Sequence, residues 1–145
     1  MKESEELKLL IEKAKEGLNN AYTPVHNFPV GSAVLTFKNN IYQGCNTESV
    51  ISGLGVCAER SAIDHAAAHG EYKFKSLVII TKLPEPVKPC GACLQYINEF
   101  AQIGKNNISI YMVGYNGKIN KSSINEMLPN GFGPRDLNKD LTKYE

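Results

Sequence analysis

The chain has 145 residues, of which 42% are hydrophobic and 21% charged, and 16 basic against 15 acidic side chains give it a formal net charge of +1. That length fits one domain over residues 1–145, able to bury about 68–70% of the surface its unfolded chain exposes, so any metal is expected to serve chemistry rather than to hold the fold. The even charge balance argues against nucleic acid or an anionic membrane as partner, and no apolar run is long enough to span a bilayer. Taken in order, residues 3 to about 20 set Leu7, Leu10, Ile11, Ala14 and Leu18 at helical spacing, an amphipathic helix with Ser4 as its candidate cap. The acidic start lacks the apolar region of a signal peptide, so the expected compartment is the cytoplasm, where thiols stay reduced.

Residues 22–29 carry Pro24 and Pro29 and are expected to form a loop. Residues 30–37 and 41–46 read as two strands of a hairpin around the turn Lys38-Asn39-Asn40. Residues 47–56, with two glycines and no period, read as loop. From Cys57 the pattern becomes helical, and Gly70 ends it. Ser76-Leu77-Val78-Ile79-Ile80-Thr81 has the continuous apolar character of a strand buried on both faces. After a proline-rich loop, a third helix is expected from Cys90 to about residue 100. Strands follow at 108–115 and 118–122, a helical turn at 124–128, and a Pro/Gly-rich tail whose apolar residues should pack somewhere. The order α-β-β-α-β-α-β-β-α predicts one mixed sheet with helices on both faces.

The chemistry gathers at two stretches. Gly55-Val56-Cys57-Ala58-Glu59-Arg60-Ser61 offers a thiol and, two residues on, a carboxylate. Pro89-Cys90-Gly91-Ala92-Cys93 offers a Cys-x-x-Cys pair whose sulfurs lie one helical turn apart. Each stretch opens a helix, where unpaired N–H groups and the helix dipole favour thiolate. Cys57, Cys90 and Cys93 therefore form a tripod for one Zn²⁺ per chain, leaving the open fourth position of a catalytic site. Three thiolates make a water at that position a poor acid, which gives Glu59 its expected role of taking and passing on the proton. Cys45 sits on a strand without a helix N-terminus and reads as a buried structural thiol. A redox Cys-x-x-Cys would need neither a third cysteine nor Glu59, and a structural zinc knuckle would need a fourth ligand. His65 and His69 share a helix face but fall two and three turns past Cys57, and so read as surface or interface residues. His26, in its proline-flanked loop, has no assigned role.

Cys57-Ala58-Glu59-Arg60, followed 33 positions later by the Cys-x-x-Cys, resembles the small three-cysteine zinc cytidine deaminases. Three further motifs carry the resemblance over nearly the whole chain: Tyr22-x-Pro24-x-x-x-Phe28-Pro29-Val30-Gly31, Gly44-Cys45-Asn46-Thr47-Glu48, and the tail Leu128-Pro129…Phe132-Gly133-Pro134-Arg135-Asp136-Leu137. The resemblance implies a three-layer α/β/α sandwich on a mixed five-stranded sheet, and a homotetramer whose active sites borrow residues from neighbours. It implies hydrolytic deamination of cytidine and 2′-deoxycytidine in pyrimidine salvage, with zinc held by the three cysteines and protons moved by Glu59. It implies that Asn46 and Glu48 bind the ribose hydroxyls, Phe28 packs on the base, and Phe132 reaches into a neighbour's site. The backbone of Cys57 and Ala58 would meet the base edge. Asn46 and Glu48, at i and i+2 of a strand, would share a face.

Three departures from the family pattern stand out. Leu94 follows the Cys-x-x-Cys where the family carries an arginine, so Arg60, or else backbone N–H groups, must balance the net negative charge of Zn²⁺ with three thiolates. Ser49-Val50-Ile51-Ser52-Gly53 lacks an aromatic that lines the sugar site, and Val25-His26 replaces Tyr-Ser. The last two lie beside the substrate rather than the metal, and leave open the same chemistry on another aminopyrimidine, such as a blasticidin-type nucleoside. A non-catalytic zinc protein of this fold is the remaining alternative, and Glu59 counts against it.

Overall fold

The computed structural model describes residues 2–145. Helix α1 (Glu3–Asn19) leads into the hairpin β1 (Val30–Thr36) and β2 (Ile41–Cys45), then α2 (Ala58–Ala68), β3 (Phe74–Thr81), α3 (Gly91–Gly104), β4 (Ser109–Val113), β5 (Ile119–Ser123) and the short α4 (Ile124–Met127). This is the expected order. Two differences are local. The cap position of α1 is Lys2, which makes no side-chain capping bond, and Ser4 lies inside the first turn beside Glu3, Glu5 and Glu6, where the dipole rather than a cap favours the acidic groups. Helix α3 runs a turn past residue 100, because Ala101 and Ile103 continue its buried stripe until Lys105 adopts a left-handed conformation.

The sheet order is β2-β1-β3-β4-β5. β1 is antiparallel to both β2 and β3, β3 and β4 run parallel, and β5 is antiparallel to β4. Strands β2, β3 and β4 therefore point the same way, and the crossovers through α2 and α3 step in one direction along the sheet. Right-handed connections then put both helices on one face. That face packs Ala62, Ile63 and Ala66 of α2 and Ile97, Phe100 and Ala101 of α3 against Val34, Leu77, Ile79, Ile110 and Met112. The opposite face packs Leu10, Ala14 and Leu18 of α1 against Ala33, Leu35, Val78, Ile80 and Val113. Successive strand residues alternate between the two, so the outcome is the three-layer α/β/α sandwich on a mixed five-stranded sheet. Each fully buried Leu, Ile or Phe contributes about 1.5–3 kcal/mol, which fixes the strand register firmly.

Two glycines set how closely the helices approach. A Cβ on Gly31 would stand 2.0 Å from the Ala14 carbonyl oxygen of α1, and one on Gly44 would stand 2.3 Å from the Ala62 nitrogen of α2. The close seat of α2 on β2 matters because α2 carries Cys57 at its N-cap and Glu59 in its first turn. The tail packs on α3: the Phe132 carbonyl accepts from Gln95 Nε2 at 2.8 Å and Asn98 Nδ2 at 2.9 Å, and the Arg135 N–H donates to Gln102 Oε1 at 2.9 Å.

Candidate active site

Cys57 and Cys90 are the N-cap residues of α2 and α3. Both helices start beyond the carboxyl ends of their strands, where α/β sheets open a crevice. Cys93 lies one turn into α3, so its sulfur returns to the helix start, and its N–H donates to Cys90 Sγ at 3.4 Å. The Cys57 and Cys90 sulfurs are 3.9 Å apart, and all three sulfurs lie within 4.8 Å of one another. Tetrahedral zinc with sulfur at about 2.3 Å sets neighbouring sulfurs about 3.8 Å apart, so the tripod fits that ion. Among the described residues no other group of three His, Cys, Asp or Glu side chains converges in this way. Cys45 is half-buried with its sulfur 3.8 Å from the Asn20 carbonyl oxygen, outside the cluster.

The electrostatics also suit a cation. Burial, with Glu59 and the neighbouring sulfurs alongside, pushes the Cys93 thiol up. Cys90 is lowered despite its burial, because N–H and S–H donors face it. Arg60 Nη2 stands 3.8 Å from Cys57 Sγ, and this contact holds the guanidinium protonated. Arg60 Nε is buried and makes no hydrogen bond among the described residues. Glu59 is 3% exposed. Its burial outweighs Arg60 and the local donors and raises the carboxyl above the ordinary carboxylate range.

A cleft of about 170 Å³ opens against the tripod, lined by Phe28, Asn46, Cys57, Ala58, Glu59 and Cys90, together with Val30, Ile79, Thr81, Val87 and Lys88. The last five were missed in the sequence reading. Val30 and Thr81 are legible in retrospect, since antiparallel pairing of β1 and β3 sets them opposite each other at this end of the sheet. A larger cavity of about 560 Å³, between α3, α4 and the tail, holds none of the cysteines, so size does not locate the site.

Asn46 and Glu48 follow the end of β2 rather than lying on it, flanking Thr47, which bridges to Tyr22 and Val56. Both still turn toward the 22–30 loop. Asn46 Oδ1 accepts from the Val30 N–H at 2.8 Å and its Nδ2 donates to the Phe28 carbonyl at 2.9 Å. Glu48 accepts from the N–H groups of Val25 and His26 and from the His26 ring. The Ala58 carbonyl oxygen lies against Gly44, within 2.7 Å of where a Cβ would stand. Phe132 is 57% exposed and lies outside this cleft. His65 on α2 and His69 at its C-cap are exposed, each with Nδ1 at 2.9 Å from a carbonyl oxygen, of Gln43 and His65 respectively.

A family model described as the cytidine and deoxycytidylate deaminase zinc-binding region matches residues 4–110. A cytidine deaminase of Sporosarcina psychrophila is 37% identical over 128 residues, covering 88% of this chain and 92% of that one. One from Halalkalibacterium halodurans is 32% identical over 130 residues, covering 90% and 96%. The crystal structure of the Burkholderia pseudomallei cytidine deaminase superposes with a TM-score of 0.81 at 34% identity, covering 91% of this chain and all of that one. With a zinc-sized cysteine tripod at two helix N-termini and a buried carboxyl beside it, the chain belongs to the cytidine and deoxycytidylate deaminase family.

Proposed function

We propose that this protein, acting as one domain over residues 1–145, hydrolyses cytidine and 2′-deoxycytidine to uridine and 2′-deoxyuridine with release of ammonia. The observation that carries the reading is the convergence of Cys57, Cys90 and Cys93 beside buried Glu59 in one cleft with Phe28 and Asn46. The chemistry that zinc supplies in such a site is activation of water near neutral pH. Phe28 packs against the pyrimidine, and N–H groups at the start of α2 bind its edge. Asn46 and Glu48 take the sugar hydroxyls. Glu59 removes a proton from water as it adds at C4 and delivers it to N3, then takes the remaining proton of the new C4 hydroxyl and passes it to the exocyclic amine as the C4–N4 bond breaks and the C4 carbonyl forms. A carboxyl raised by burial suits both halves of that transfer. Arg60, 3.8 Å from Cys57 Sγ, balances the excess negative charge of three thiolates.

The assembly we infer is a homotetramer. Val50, Ile51 and Leu54 are 85%, 59% and 63% exposed on the 47–56 loop, and Phe132 is 57% exposed on the tail; a second copy is the natural cover for them. The reduced thiols the tripod requires accord with a cytoplasmic role in pyrimidine salvage, and among the described residues no helix is long and apolar enough to cross a membrane.

A second reading, the same chemistry on another aminopyrimidine, draws on the 49–53 segment without an aromatic and on His26 against Glu48. Ammonia release by the zinc-loaded protein from cytidine, 2′-deoxycytidine, cytosine, 5-methyl forms, adenosine, guanine and blasticidin S separates the two. Turnover of cytidine and 2′-deoxycytidine is expected. Turnover of another member alone would establish the second reading, and silence across the panel would leave a non-catalytic zinc protein.

A further inference from the structure

Glu48 is held by three donors from one short loop. Its Oε1 accepts from the Val25 N–H at 3.0 Å and the His26 N–H at 3.2 Å; its Oε2 accepts from the same His26 N–H at 3.2 Å and stands 2.5 Å from His26 Nδ1. The Glu48 side chain is 15% exposed and the His26 ring 78% exposed, so the ring lies over a largely covered carboxylate. Burial alone would raise the Glu48 carboxyl, but these donors outweigh it and hold the group below its ordinary value, as an anion. An anionic oxygen only accepts, so Nδ1 carries the proton of this contact. The loop is fixed from its other side: Asn46 bonds Phe28 and Val30, and Asn27, in a left-handed conformation with φ 51°, donates its N–H to the Thr23 carbonyl at 3.0 Å. An isolated surface ion pair contributes little. Three charge-assisted bonds on one shielded carboxylate are a different object, because they fix where its remaining acceptor stands. A carboxylate offers about four acceptor positions, and the three donors leave roughly one.

We propose that His26 is a positioning residue for the sugar end of the substrate: its Nδ1–H locks the Glu48 carboxylate so that Glu48 meets the nucleoside as a preoriented acceptor for a single hydroxyl. This rests on the nucleoside reading above and adds to it a residue that departs from the family pattern. The effect belongs to sugar binding and not to the chemistry at C4, and it operates only when both Glu48 and a sugar hydroxyl are present.

Steady-state kinetics of the zinc-loaded full-length enzyme test it, with cytidine and 2′,3′-dideoxycytidine as substrates. His26→Ala is expected to raise KM for cytidine about tenfold, the lower end for the loss of one hydrogen bond to a charged group, while kcat falls by less. His26→Asn, which keeps a side-chain N–H near the position of Nδ1, is expected to recover most of that loss. Against 2′,3′-dideoxycytidine, and in a Glu48→Gln background, His26→Ala should add no further penalty. Uridine affinity by calorimetry, which needs no turnover, should fall in parallel with the change in KM. An unchanged KM in His26→Ala, or an equal penalty against the dideoxynucleoside or on top of Glu48→Gln, overturns the assignment. A wild-type enzyme that processes no cytidine overturns the nucleoside reading itself, and the role of His26 falls with it.

Discussion

Glu59 and Arg60 are adjacent in sequence and, on the proposed reading, divide two tasks. Glu59 lines the cleft with a buried carboxyl that burial raises above its ordinary value, while Arg60 Nη2 stands 3.8 Å from Cys57 Sγ. Glu59→Gln should keep about one zinc per chain and lose at least about a hundredfold in kcat, the usual contribution of general acid–base catalysis, as elemental analysis and ammonia release on one sample would establish. Arg60→Ala should weaken zinc binding by roughly tenfold to a hundredfold in competition with a chromophoric chelator, the range for losing a residue that supports a ligand. Unchanged affinity would mean that the helix N-termini alone balance the three thiolates. Glu59 was singled out in the sequence because a Cys-x-Glu helix start has a chemical meaning, and Arg60 because Leu94 stands where the family pattern has an arginine; the structure sets Arg60 one turn from Cys57. His26 was given no role from the sequence. Its partner lies 22 residues away across two strands, and no periodicity links a loop histidine to a carboxylate beyond a strand end.

At the scale of elements, the seating of α2 decides the geometry of the site. Gly44→Ala would drive a methyl group to 2.3 Å from the Ala62 nitrogen, and backbone cannot yield as a side chain can. The expected cost is about 1–3 kcal/mol by urea unfolding, with zinc affinity falling too, since α2 would move and carry Cys57 and Glu59 with it. Behind α2, buried Glu71 ties the hairpin to the α2–β3 connection, accepting from Thr36 Oγ1 at 2.6 Å, Asn40 Nδ2 at 2.9 Å and the Tyr42 hydroxyl. Burial opposes its ionisation, yet these three donors hold it below the ordinary carboxylate range. Its contribution to stability is therefore full above its unfolded pKa, near 4.5, and is lost as pH falls through the lower folded value. The urea midpoint should decline with acidification below that point, and Glu71→Gln should flatten the decline. Hydrophobic spacing and turn residues revealed, in order, the nine α-helices and strands of the described residues, though not the short 3-10 turns of the tail. Ser4 misled because Ser is only a statistical cap, and the chain entered the helix two residues earlier. The last turn of α3 went unseen because what extends it is burial of Ala101 and Ile103 against the sheet, which local propensity does not record.

For the whole molecule, the two packed faces of the sheet do not depend on the metal. The clusters contain none of the three ligands, so stripping zinc with a strong chelator should abolish ammonia release while far-ultraviolet circular dichroism stays near that of the loaded protein. Loss of secondary structure on chelation would make the ion structural as well. If the exposed Val50, Ile51 and Leu54 are covered by a second copy, Ile51→Asp should shift the sedimentation coefficient toward that of a smaller species. Tertiary arrangement followed from the sequence as far as one mixed sheet with helices on both faces; that α2 and α3 share a face depends on the strand order, which the sequence reading did not predict. The relation of one chain to another did not, since exposed apolar residues name no partner by themselves.

The two capping cysteines stand at the starts of consecutive crossovers, and the chain between them makes all of α2 and β3. During synthesis Cys57 emerges well before Cys90, and their sulfurs come within 3.9 Å only after β3 has entered the sheet beside β1. The three-sulfur site therefore exists only in a chain whose β3 is in place: with β3 displaced, Cys90 and Cys93 still stand one helical turn apart but are parted from Cys57.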